Sequence, residues 1–138
     1  MSNLTPWSPR ALAVLRIVTA LLFLEHATMK FLAFPASMPG MENGLPPLLI
    51  AAGVIELSTG ILVTLGLFTR LFAFLASGEM AIGYFMVHLP NSFWPALNQG
   101  ELAIMFCFVF LYLVFAGPGA WALDNVIGKR PAAPGAVE

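Results

Sequence analysis

The sequence predicts an all-α integral membrane protein: a four-helix bundle with both termini in the cytoplasm and a short interfacial helix near the C-terminus. Three observations carry that expectation. Apolar residues make up 59% of the chain and charged ones 9%, against about a quarter charged in soluble domains. Four apolar stretches, about 11–34, 46–68, 71–89 and 101–116, each approach the ~20 residues a helix needs to cross hydrocarbon. No stretch carries the continuous polar stripe that a soluble bundle would turn to water. Residues 1–130 are read as one domain and 131–138 as a disordered tail.

The first span opens after a short polar lead-in, where Ser8-Pro9 offers a capping residue and then a proline at the first helical position. It resembles an export signal, with apolar Ile17–Leu24 behind two arginines. Arg16, Glu25, His26 and Lys30 interrupt what a signal would leave uncharged, so it is read as a retained span. It ends near Phe34-Pro35, before an irregular loop rich in Pro, Gly and Met. The second span closes at Gly66, and Thr69 is expected to cap the third. The loop 90–100 holds Phe93-Trp94-Pro95, suited to the headgroup layer, and leads to Glu101. Gly117-Pro118-Gly119 stops the fourth span, and Trp121, Leu123, Val126 and Ile127 mark the interfacial helix within 120–129. Arg10, Arg70, Lys129 and Arg130 gather at one end, which the positive-inside rule assigns to the cytoplasm.

The ionisable residues inside the spans are the candidate site: Arg16, His26, Lys30, Glu56, Glu79, Tyr84, His88 and Glu101. A charge facing lipid at mid-membrane costs about 2.5–3.5 kcal/mol, so these groups should point inward, pair, or, for a carboxylate, take up a proton. Helical periodicity places Arg16, Phe23, His26 and Lys30 on one face and Glu25 opposite. It also makes stripes of Gly53, Glu56, Gly60 and Thr64, and of Glu101, Met105, Phe108 and Tyr112. Small residues in such a stripe let backbones approach closely. Tyr84 and His88 share a face, with Glu79 opposite His88.

Depth along the helices suggests Lys30 near Glu101 with His26 beneath, and Arg16 reaching toward Glu56 or Glu79. Plainer roles stand beside these. Lys30 could snorkel to headgroups, His88 could be interfacial, and Glu101 could simply sit well at a helix N-terminus. Cys107 reads as a small buried hydrophobe. Met38 and Met41 with the two histidines suggest copper, but no metal-ligand spacing supports a site, so loop filling accounts for them and no metal site is expected. The net charge of −1 offers no basic face to nucleic acid. Catalytic residues are not identifiable.

Several segments together resemble the DoxX family of four-helix membrane proteins. They are Leu15-Arg16-Ile17 leading to Glu25-His26-Ala27-Thr28-Met29-Lys30, Gly53-Val54-Ile55-Glu56 through Leu67-Phe68-Thr69-Arg70, Asn98-Gln99-Gly100-Glu101, and Gly117-Pro118-Gly119 with Leu123-Asp124. Ala27 stands where that family usually has glycine, and Glu25 and Glu79 are further departures. The resemblance implies a bundle associated with redox work, whose relatives include membrane subunits of a thiosulfate:quinone oxidoreductase and partners of sulfur-transfer and oxidative-stress enzymes.

Three functions are thus expected in turn. The first is an accessory membrane subunit of a redox or quinone-linked complex in the inner membrane, surrounded by lipids and other membrane subunits. The second is a small-molecule or proton pathway through the charged interior. The third, ranked last because no electron carrier is encoded, is a self-sufficient quinone oxidoreductase. A quinone or a lipid could bind near Tyr84, His88 and the aromatic residues.

Overall fold

The computed structural model describes residues 3–128 and is helical throughout, with no strand among the described residues. Lys129, Arg130 and the expected tail 131–138 lie outside them. A 3-10 turn, Thr5–Trp7, runs directly into α1, Ser8–Leu32. Pro9 sits in the first turn of α1 as expected, but Ser8 is already helical and makes no side-chain cap. The helix stops at Ala33, whose φ of 50° is left-handed, and the loop that follows is irregular.

Helix α2, Pro47–Leu65, ends in a left-handed glycine. Gly66, at φ 68°, donates its N–H to Val63 O while Leu67 donates to Leu62 O. That is the pattern by which a glycine beyond a helix satisfies its last carbonyls. Helix α3, Thr69–Gly83, continues into a π turn, Tyr84–His88, closed by Leu89 N–H to Tyr84 O at 2.9 Å. A four-residue helix α4, Pro95–Asn98, precedes α5, Glu101–Ala116. Helix α6 is Leu123–Ile127, with Trp121, Val126 and Ile127 exposed beside it.

Thr5–Leu32, Pro47–Leu65 and Thr69–His88 are long and apolar enough to cross a membrane. The fourth span, α5, is apolar but has 16 residues, about 24 Å at a helix's rise. That is a little less than the ~30 Å hydrocarbon core, a mismatch met by local thinning or by flanking segments. Up-and-down connectivity puts the start of α1, the α2–α3 turn and α6 at one end, here called the terminus end. The 33–46 and 89–100 segments lie at the other, the loop end.

Helix α1 packs mainly on α2 and α3 mainly on α5, while α2 and α3 join the pairs. The α1–α2 contact follows from the small stripe. A side chain at Gly53 would collide with Phe31, and one at Gly60 with the backbone of Leu24. The apolar core holds Ala20, Phe23, Val63, Ala73, Ala76, Phe106, Phe110 and Leu113. Phe23 meets Phe106 and Phe110 edge-on, at 5.4 and 4.9 Å between ring centroids.

The expected inward stripe of α5 is reversed. Met105, Phe108 and Tyr112 are 61%, 63% and 56% exposed, and Glu101 is exposed beside them. The inward face is Phe106, Phe110 and Leu113. In a helix apolar on all sides, periodicity does not mark the buried face, so the fit of rings against Phe23 decides it.

Candidate functional site

Two groups of polar side chains are buried in the bundle, one at each end. At the terminus end Arg16 is fully buried. Its Nη1 donates to Pro118 O and to Ala120 O, and its Nη2 to Trp121 O at 2.9 Å. Asp124, just beyond, accepts from Phe68 N–H at 2.8 Å and Thr69 N–H at 3.0 Å. Its own N–H donates to Gly66 O. The α3 N-terminus is therefore capped by a carboxylate from far along the chain; the expected Thr69 side-chain cap is not made. Burial alone would push the Asp124 carboxyl up. The Thr69 and Phe68 amides and the Arg16 charge more than offset this and hold it below the usual carboxylate value. Arg70 completes this end by donating to Val114 O and Phe115 O at the C-terminus of α5, where a cation suits the helix dipole.

Toward the loop end, Lys30 Nζ lies 2.6 Å from both Glu56 oxygens. Each side chain is 4% exposed. Glu79 on α3 lies close enough to feel both charges. Both of its oxygens are buried with no hydrogen-bond partner among the described residues. Lys30, Glu56 and Glu79 thus form one buried group of two carboxylates and one ammonium.

Both expected pairings of the basic residues are corrected by one geometric rule. Side chains on a helix tilt toward its N-terminus. Lys30 on α1 therefore leans down from the loop end into the bundle, and Glu56 on antiparallel α2 leans up to meet it. Close approach of Gly53 to Lys30 and Phe31 sets that level. By the same rule Arg16 leans away from the carboxylates, toward the 118–121 carbonyls. Glu101, in the first turn of α5, leans out of the bundle and is exposed. Lys30 neither snorkels outward nor reaches Glu101.

His26 faces inward, its ring edge-on to Phe106 at 5.7 Å. Its Nδ1 lies 3.1 Å from Leu22 O. A carbonyl only accepts, so the proton sits on Nδ1. Glu25 is exposed, with no ion-pair partner among the described residues.

Tyr84 and His88 do share a face, their rings stacked at 6.2 Å, but what they hold is the 89–100 segment. His88 Nδ1 donates to Asn98 O at 3.0 Å, and Asn98 Nδ2 lies 3.4 Å from the Tyr84 hydroxyl. Asn98 is buried; its amide donates to Ser92 O and its carbonyl oxygen accepts from Gly100 N–H. A side chain at Gly100 would strike the Tyr84 ring. These contacts give both residues a structural task.

Sequence reasoning missed the parts played by Asp124 and Asn98. The signal for each was present: a short polar residue beside a glycine-bearing turn, the usual place for a backbone cap. Ser77 was also missed; its hydroxyl donates to Cys107 O at 2.9 Å and ties α3 to α5.

The comparisons agree with this architecture. A protein of Haemophilus influenzae is 50% identical over 94% of this chain and all of its own length. The inner membrane protein YphA of Escherichia coli is 33% identical over 85% of this chain and 90% of its own. An uncharacterized membrane protein of Mycobacterium tuberculosis is 28% identical over 93% of this chain and 88% of its own. No solved structure matches. The family model for DoxX matches residues 11–89, the helices that carry Arg16, Lys30, Glu56 and Glu79, and this chain belongs to the DoxX family of membrane proteins.

Proposed function

We propose that the Lys30–Glu56–Glu79 group is a binding site that takes up a proton, or a small solute able to donate a hydrogen bond, from the loop end. One observation carries the reading: both Glu79 oxygens are buried without a donor among the described residues, within reach of the charges of the Lys30–Glu56 pair. An ionised carboxylate without a partner in such surroundings costs several kcal/mol. Glu79 therefore takes a partner from outside the protein. Intramembrane ionisable groups of this kind commonly mark proton relays and solute sites.

The site is one-sided. A cavity of about 560 Å³ opens at the loop end with Lys30 in its wall. Toward the terminus end the apolar core of Phe23, Val63, Phe110 and Leu113 lies in the way. The charges expected to line a pathway through the interior fall instead into two separate groups, which favours uptake and release over passage through a continuous channel.

A second reading has its own observation. The outward stripe of Met105, Phe108, Tyr112 and Phe115 on α5 suits a neighbouring membrane subunit. Uptake at Glu79 would then serve a redox or quinone-linked complex of the inner membrane, with both termini cytoplasmic. The experiment for the first reading is pH-difference infrared spectroscopy of the full chain in detergent. Wild type should show a carboxyl band change on a pH step that Glu79→Gln lacks. Identical difference spectra for the two would overturn it. Purification in mild detergent yielding only the free chain would count against the second.

A further inference from the structure

We propose that the loop-end cavity is a binding site for a soft monovalent metal ion, Cu(I) or Ag(I), held by the thioethers of Met29, Met38 and Met41. All three line the same cavity. Met29 comes from the last turns of α1, whereas Met38 and Met41 come from the loop that folds back over it. The sequence alone shows only the loop pair, because the third ligand stands on a different element. Thioethers are neutral, polarisable donors that prefer Cu(I) and its analogues to hard cations.

The distribution of methionine supports a ligand set over simple filling. Three of the ten residues lining the cavity are Met, against seven in the whole chain of 138. Met80, by comparison, packs on the apolar core. Met86 and Met105 point outward, 56% and 61% exposed. Met29, Met38 and Met41 are half-buried and border open space. Their rotatable side chains can close on an ion without moving the backbone. The charge balance also permits a cation. Lys30 in the wall is neutralised by Glu56 at 2.6 Å, and Glu42 adds a carboxylate at the rim.

The test is titration of the full chain in detergent with Ag(I) nitrate, free of thiols and chloride, followed by calorimetry and by NMR of methyl-labelled methionine. One ion per chain is expected, with three methionine methyl signals shifting together. Met38→Leu/Met41→Leu changes only loop residues and keeps their volume, so the fold is retained. It should weaken binding by about a hundredfold, and Met29→Leu alone by about tenfold. Met86→Leu/Met105→Leu should leave the affinity unchanged. No saturable binding, or binding that survives Met38→Leu/Met41→Leu intact, would overturn the proposal. Retention of Ag(I) binding in Glu79→Gln is expected, because the two sites use different atoms.

Discussion

Arg16 and Lys30 are both buried cations on the same helix, yet their surroundings differ in kind. Arg16 is held by three backbone carbonyls, with the Asp124 charge behind them. Those carbonyls carry no titratable proton. Lys30 meets a carboxylate, and a second carboxylate stands nearby without a donor. The first arrangement leaves only Arg16 Nε and the Thr69 hydroxyl without a partner among the described residues, whereas the second leaves both oxygens of a carboxylate so, with room for one more proton or ligand. Burial of charge thus does two different jobs in this bundle, locking one end and leaving the other chemically open.

The comparison breaks first at Lys30. Lys30→Met strands Glu56 as an unpaired buried charge and should cost about 3–5 kcal/mol, while Lys30→Met/Glu56→Met should recover most of it. Thermal unfolding in micelles, read by thiol labelling of Cys107, measures both. A single variant as stable as wild type would mean that the pair is not buried in the membrane-embedded protein. Arg16→Lys comes next. One ammonium cannot reproduce the fork across Pro118, Ala120 and Trp121, and about 2 kcal/mol should be lost.

Asp124→Ala removes the cap on α3 and should cost about 1 kcal/mol. The pH dependence has a definite sign. Asp124 sits below its usual carboxylate value when folded. Its contribution is present above the unfolded value of about 3.9 and is lost as pH falls through the folded one. Asp124→Asn should flatten that acid limb in a stability–pH profile. The smallest effect on stability belongs to Glu79→Gln, within about 0.5 kcal/mol of wild type, because the amide is neutral and similar in shape. That variant sharpens the contrast most if it unfolds normally but loses the pH-dependent carboxyl band of the wild type.

Much of the bundle was legible in the sequence because hydrophobic length and helix punctuation are local signals. Gly66 and Gly117 end helices where expected, and the stripe of Gly53, Glu56 and Gly60 packs inward as small residues should. The grouping of Arg16, Lys30, Glu56 and Glu79 as buried followed from the cost of charge in hydrocarbon. Their partners did not follow, because rise per residue gives the depth of a Cα but not the lean of a long side chain. The facing of α5 was equally hidden: with apolar residues on every side, only contact with Phe23 separates Phe106 from Phe108.

The lock around Arg16 also bears on how the chain is made. Its carbonyl partners are supplied 102 to 105 positions later in the chain. When the first helix leaves the ribosome and enters the insertion machinery, its arginine has none of them. That helix must wait, tended by water, headgroups or the translocon, until residues 118–121 emerge and close over it. The first span is therefore completed only by the segment that follows α5, and a chain released before residue 118 would carry an unanswered cation in its opening span.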